Sequence, residues 1–175
     1  MRVEKVPLSE VYDYFTGKLE SNRINYVDYI STTNMLENKK GVSFNGSLPP
    51  ALKINKFEAN DILISNIRPY FKKIWLANKS GGCDADILNI RAKQEKVLPK
   101  YLYYSLFKDA FFDYVMVGAK GVKMPRGDKT FIMKYEIPLI PIHEQQKVIS
   151  IISPIFDKIE SNNRLIISLE EYSQL

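Results

Sequence analysis

Apolar and polar residues alternate or gather in short runs through most of the chain, and only near its end do they settle into a long helical rhythm. The clearest strand pattern is "ANDILISNI" (59–67), with "KKIWLAN" (72–78) and "ADILNIRA" (85–92) following at short intervals. "NYVDYIST" (25–32) alternates and predicts a further strand; "RVEKVPL" (2–8) predicts an edge strand. "LSEVYDYF" (8–15) predicts a short helix capped by Ser9. "LPKYLYYSLFKDAFFDYV" (98–115) has helical spacing, with Tyr101, Leu102, Ser105, Leu106 and Phe112 on one face and Pro99 at the start. "KYEIPLIPI" (134–142) predicts an extended piece that closes this part of the chain. No internal repeat is visible within it.

From His143 the texture changes. Ile152, Ile155, Ile159, Asn162, Ile166 and Leu169 are separated alternately by three and four residues, which is a heptad seam. An amphipathic helix folded onto its own domain has the same periodicity. A stretch of ~33 residues reaches about 50 Å as a helix, and a polar Asn in the seam suits a register-setting contact between helices, so a partner-seeking helix is expected. Pro154 interrupts it: the helix either kinks there or starts afresh with Ser153 as its cap.

At 175 residues, 45% hydrophobic and 12% aromatic, the chain has the material for one globular domain plus an appendage. Its charge of +5 is unevenly spread: residues 143–175 hold three Lys or Arg against five Asp or Glu, so they carry −2 and the first 142 residues carry +7. The basic part is therefore the one to expect on a nucleic acid. A single cysteine, Cys83, excludes an intramolecular disulfide framework and a cysteine zinc site. With the only histidine, His143, far along the chain, Cys83 reads as a small packed residue. No signal peptide and no long apolar run is present, so the expected location is cytoplasmic, without a membrane partner.

"GAKGVKMPRGDKTFI" (118–132) concentrates Lys120, Lys123, Arg126 and Lys129 among glycines and a proline, against the lone Asp128. A solvated loop is the plain reading and an anionic partner the sharper one. Gly121 and Gly127 enclose five residues rather than four and Asp128 precedes Lys129, which excludes a nucleotide P-loop. "Arg126-Gly127-Asp128" also spells an adhesion tripeptide, a match short enough to arise by chance. Two further basic groups stand apart: Lys39 with Lys40, and "SNIRPYFKK" with Asn66, Arg68, Tyr70, Lys72 and Lys73 beyond a strand and a proline bend. Lysine and arginine neutralise phosphates, while Asn and Arg can read base edges.

"NDILISNIRPYFKKIWLA", a Tyr- and Leu-rich helix, a Gly-rich loop, "IPLIPIHEQQKVISII" and a heptad helix together resemble the specificity subunits of type I restriction-modification systems. Ile137 to Ile152 is the most specific part, with Glu144 and Gln145 matching the family's Glu-Gln pair. The resemblance implies an α+β fold: a mixed-sheet target recognition domain (1–142) followed by a long C-terminal coiled-coil spacer or dimerisation helix (143–175). It implies that such a domain reads one half of a bipartite site in double-stranded DNA. The expected partners are methyltransferase subunits that bring S-adenosylmethionine and a restriction subunit that brings ATP-driven translocation and cleavage. A homodimer through the helix is also expected. A complete specificity subunit contains two such sets, so the chain is expected to be a half-length subunit or part of a longer one, and Met1 suits an N-terminal half.

The expected DNA-binding residues are then Lys39, Lys40, Asn66, Arg68, Tyr70, Lys72, Lys73, Lys120, Lys123, Arg126 and Lys129. No catalytic residue, metal ligand or cofactor is expected. "SLPPAL" lacks the polar and aromatic neighbours of an adenine methyltransferase motif, and Asp84, Asp86 and Glu95 lack the spacing of a nuclease centre. The competing class is a stand-alone DNA-binding protein or a small metal-dependent nuclease with a coiled-coil tail.

Overall fold

The computed structural model describes residues 4–44, 49 and 51–172. Arg2 and Val3 of the first expected strand, Ser47, Leu48 and Pro50 of the double-proline stretch, and residues 173–175 of the expected helix lie outside them. In chain order the strands are β1 (Glu4–Pro7), β2 (Tyr12–Tyr14), β3 (Lys18–Glu20), β4 (Tyr29–Ile30), β5 (Lys53–Phe57), β6 (Ile62–Ser65), β7 (Ile74–Leu76), β8 (Gly81–Cys83), β9 (Ile87–Ala92) and β10 (Glu136–Leu139). The α-helices are α1 (Pro99–Leu106), α2 (Asp109–Val117), α3 (Lys129–Ile132) and α4 (Ile142–Tyr172). The fold class is α+β, with sheets of mixed orientation and a long C-terminal helix.

A central antiparallel sheet has the order β2-β9-β6-β7. A second sheet, β3-β5-β8-β4, includes the parallel pair β4–β8, and β1 pairs with β10 in a separate ribbon. Every residue of β6 is buried because each of its faces has a core of its own. Ile62 and Ile64 pack with Leu88, Ile90, Leu102, Phe111 and Phe112, whereas Leu63 turns to Ile30, Phe57, Trp75 and Cys83. A strand covered on both faces has no polar positions to alternate with, which is why "ILI" reads as an unbroken apolar run. At its entry, the buried Asp61 takes two hydrogen bonds from Arg91, at 2.7 and 2.8 Å, and so is paired where an isolated carboxylate would be costly.

Three expectations change. "NYVDYIST" is a strand only at Tyr29–Ile30, after a 3-10 turn over Tyr26–Asp28. "LSEVYDYF" is a single 3-10 turn (Leu8–Glu10) followed by β2; Ser9 caps nothing, and Tyr12 is claimed by pairing with Ala92 on β9. The expected helix over 98–115 is two helices, because Lys108 turns extended (φ −72°, ψ 144°) and α2 starts again at Asp109. Its expected buried face is nevertheless intact, with Tyr101, Leu102, Ser105, Leu106 and Phe112 all buried. Strand β8 had no apolar alternation to reveal it. Its glycines are demanded by neighbours, since a Cβ at Gly81 would collide with the Asp28 carbonyl.

Helix α4 runs unbroken through Pro154, which sits on its exposed side, and Ser153 is not a cap: its hydroxyl is 2.8 Å from the Tyr104 hydroxyl. The helix is fixed to the domain at two points. Gln145 is completely buried; its Oε1 accepts from the Leu98 amide at 2.8 Å, and its Nε2 donates to the carbonyls of Lys96 and Ile140 at 2.9 and 2.8 Å. Three turns later Phe156 seats among Tyr103, Tyr104 and Phe107, with ring centroids 4.3 Å from Tyr104 and 4.7 Å from Phe107. The outward side carries exposed Ile151, Ile155, Ile159, Leu165, Ile166 and Leu169. Of the expected seam, Ile155, Ile159, Asn162, Ile166 and Leu169 are therefore exposed and Ile152 is half-buried.

Candidate nucleic-acid interface

Three loops that are distant in sequence lie against one another. The first is the turn Glu37–Lys40, in which Asn38 and Lys39 both take positive φ (55° and 62°), the backbone of a type I′ turn that Asn adopts readily. The second leaves β6 as Asn66-Ile67-Arg68 and folds into a 3-10 turn (Pro69–Phe71) bracketed by Arg68 (φ 48°) and Lys72 (φ 51°) in the left-handed region. The third is residues 118–128, closed by reciprocal backbone hydrogen bonds between Lys120 and Arg126 at 2.9 and 2.8 Å. Backbone hydrogen bonds join them. Asn38 and Lys39 donate to the carbonyls of Phe71 and Lys72, Arg68 donates to Pro125 at 2.7 Å, and Gly127 donates to Asn66 at 3.0 Å. Gly127 is required by this contact, since a Cβ there would press on the Asn66 side chain, Val115 and Ile132.

Carboxylates sort the cations on this ridge. Asp109, the first residue of α2, accepts from Lys39 at 2.6 Å and lies 3.1 Å from Lys72; the Lys39 hydrogen bond first, and Lys72 after it, hold its carboxyl below the usual range. Lys39 also lies over the Phe107 ring at 5.1 Å. Asp86 takes both arms of the Arg126 guanidinium, at 3.0 and 3.1 Å, in the bidentate geometry that carboxylates favour. Asp128 accepts from Lys120 at 2.7 Å and also caps α3 through the amides of Thr130 and Phe131. Lys120, together with those amides, keeps the Asp128 carboxyl low.

The expected contact residues thus divide. Lys39, Asn66, Arg68, Lys72, Lys120 and Arg126 are drawn into one ridge, with Lys123 on the same closed loop between exposed Val122 and Met124, and Tyr70 half exposed beside Phe71. Lys73 turns inward: its ammonium donates to the Thr32 carbonyl at 2.9 Å, and burial depresses its pKa. Lys129 lies against the Tyr14 ring at 5.6 Å, in a small cleft shared with Phe15, Lys18 and Asn89. Lys40 is exposed at the edge of a larger cleft, about 750 Å³, between the domain and α4. The side chains of Arg68, Lys123 and Lys40 make no hydrogen bond or ion pair with another described residue. Sequence reasoning missed Asp86 and Asp109, whose hydrogen-bonding partners Arg126 and Lys39 lie 40 and 70 residues away and leave no local mark. Asp128 ahead of the apolar Phe131 and Ile132 was a readable cap.

No group of His, Cys, Asp or Glu among the described residues can hold a metal ion, and no helix among them is long and apolar enough to cross a membrane. Burial pushes the Cys83 thiol up to about 12.

Fold and surface together define an α+β domain that bears a loop-built cationic ridge and stands on a long helix with an exposed apolar stripe. A family model for the type I restriction modification DNA specificity domain matches residues 2–171, and the chain belongs to that family. Among curated proteins it is similar to the type I restriction enzyme EcoDI specificity subunit of Escherichia coli, with 26% identity over 116 residues, covering 63% of this chain and 26% of that one. Among solved structures it matches an HsdS subunit from Thermoanaerobacter tengcongensis (TM-score 0.69, 19% identity, 98% of this chain and 46% of that one). It also matches the type I restriction-modification S subunit of M. genitalium (TM-score 0.68, 19% identity, 97% and 43%). The chain spans less than half the length of each of these relatives.

Proposed function

We propose that this chain reads one half of a bipartite sequence in double-stranded DNA, as half of a type I specificity subunit, and directs methyltransferase and restriction subunits to it. The observation that carries the reading is the ridge itself: loops 37–40, 66–73 and 118–128, far apart in sequence, are hydrogen-bonded into one basic surface. Such a surface supplies phosphate contacts from lysines and places polar side chains at its centre for base edges. The exposed stripe of α4 supports a second role, as the contact for a partner helix from the other half of the subunit, a second copy, or a methyltransferase subunit. The chain itself contributes recognition, and the reacting groups come from the partners.

The test is co-purification with an adenine methyltransferase, followed by duplex binding across a salt series. The complex should bind a specific duplex, and Lys123→Ala should weaken binding to every duplex and lower the slope of log K against log salt by about one. Absence of both a methyltransferase partner and specific DNA binding would overturn the assignment. DNA cutting by the chain alone with magnesium would favour the nuclease reading instead.

A further inference from the structure

Five arginines stand among the described residues, and four are committed to carboxylates: Arg23 to Glu20, Arg91 to Asp61 and Glu58, Arg126 to Asp86, and Arg164 to Glu160. Arg68 alone has no acidic partner, and it is exposed at the centre of the ridge. Its backbone is the opposite of free. The amide donates to Pro125 across to the neighbouring loop, the carbonyl accepts from Phe71 at 3.0 Å, and Pro69 follows directly. The residue is held left-handed (φ 48°, ψ 60°), a conformation that disfavours a side chain with a Cβ and that the surrounding hydrogen bonds impose.

The geometry points to Arg68 as the residue that reads a guanine in the major groove, with the Arg126–Asp86 pair acting as a clasp that positions the adjoining loop. This rests on the DNA-reading assignment above and names the reader within it. A guanidinium presents a planar fork that matches the O6 and N7 acceptors of guanine, and that match needs a fixed root for the side chain. A phosphate contact needs only a mobile point charge, which the exposed Lys123 provides. Arg126 carries the same fork, but both arms are already spent on Asp86.

The experiment presents the assembled complex with duplexes carrying every single base change across the recognised half-site, for wild type, Arg68→Lys, Arg68→Gly and Lys123→Ala. Arg68→Gly should relax discrimination about 10- to 100-fold at a single G·C pair. Its thermal midpoint should be no lower than wild type, because glycine adopts this φ without cost. Arg68→Lys keeps the charge but loses the fork, and should relax the same position with the salt slope unchanged. Lys123→Ala should weaken all duplexes equally. The inference is overturned if both Arg68 variants keep every base preference, if they weaken all duplexes alike, or if the relaxed position is not a G·C pair. In those cases a uniform effect of Lys123→Ala leaves the DNA-facing ridge standing and removes only the role of Arg68. If none of the three variants moves affinity, slope or preference, the ridge assignment falls as well.

Discussion

Replacing Gln145, whose side chain is fully buried, by leucine keeps the side-chain size but leaves three backbone groups around it without their partner: the Leu98 amide and the carbonyls of Lys96 and Ile140. Each unsatisfied group costs about 1 to 3 kcal/mol, so the gross loss is about 3 to 9 kcal/mol. The added apolar carbons return about 1 to 2 kcal/mol by burial, which leaves a net destabilisation centred on about 4 kcal/mol. Against a total stability of about 5 to 15 kcal/mol, that is a large fraction. Urea unfolding followed by the single tryptophan, buried Trp75, and by circular dichroism measures it. The neighbouring Glu144→Gln, on an exposed ion pair with Lys147, serves as a control and should stay within about 0.5 kcal/mol. Gln145→Glu adds a pH signature. Its carboxylate would face two carbonyls, so its pKa in the folded state rises above the unfolded value of about 4.3. The folded state then binds the extra proton, and stability falls as pH rises through and above that value. A loss under about 1 kcal/mol for the leucine variant, with unchanged slope, would refute the idea that this glutamine fastens α4 to the domain.

The paired change Ile159→Asp and Ile166→Asp alters only exposed side chains, so the domain's urea midpoint should hold while self-association, or capture of a methyltransferase, is lost. Light scattering over a dilution series checks it, and an unchanged mass together with intact capture removes the stripe as an interface. Because Lys39 and Lys72 hold the Asp109 carboxyl below its ordinary value of 3.8, the stability it contributes is present above that pH and is lost as pH falls through the lowered value. An acid titration of Trp75 fluorescence should therefore show a shallower acid limb for Asp109→Asn, and superimposable curves would contradict this. The Cys83 thiol, buried and raised to about 12, should resist alkylation at pH 8 in the folded protein and react fully in urea; rapid native labelling would contradict its packing.

Local chemistry wrote the strands at 62–65, 74–76 and 87–92 plainly, because each is an apolar or alternating run bounded by turn residues. It wrote β8 not at all, since two glycines and a cysteine become a strand only where Asp28 and Ile54 crowd them. The break at Lys108 was equally hidden: the periodicity of 98–115 continues across it, and only the extended backbone of Lys108 separates two helices that share one core. At the ridge, the charged residues were legible as clusters, but their availability was not. Arg126 and Arg68 look alike in the sequence and differ in the structure by the presence of Asp86.

By itself the sequence determined the α+β composition, the basic domain ahead of an acidic tail, the long helix and its two-faced spacing, because periodicity and charge are properties of neighbouring residues. Only the tertiary structure decided which face of α4 the domain would take, through Gln145 and Phe156. It also decided which cations remain unneutralised, since Asp109 reaches Lys39 across 70 residues and Asp86 reaches Arg126 across 40. Ion pairs act over a few ångströms of space, and chain closure over such separations follows from the whole core rather than from any local pattern.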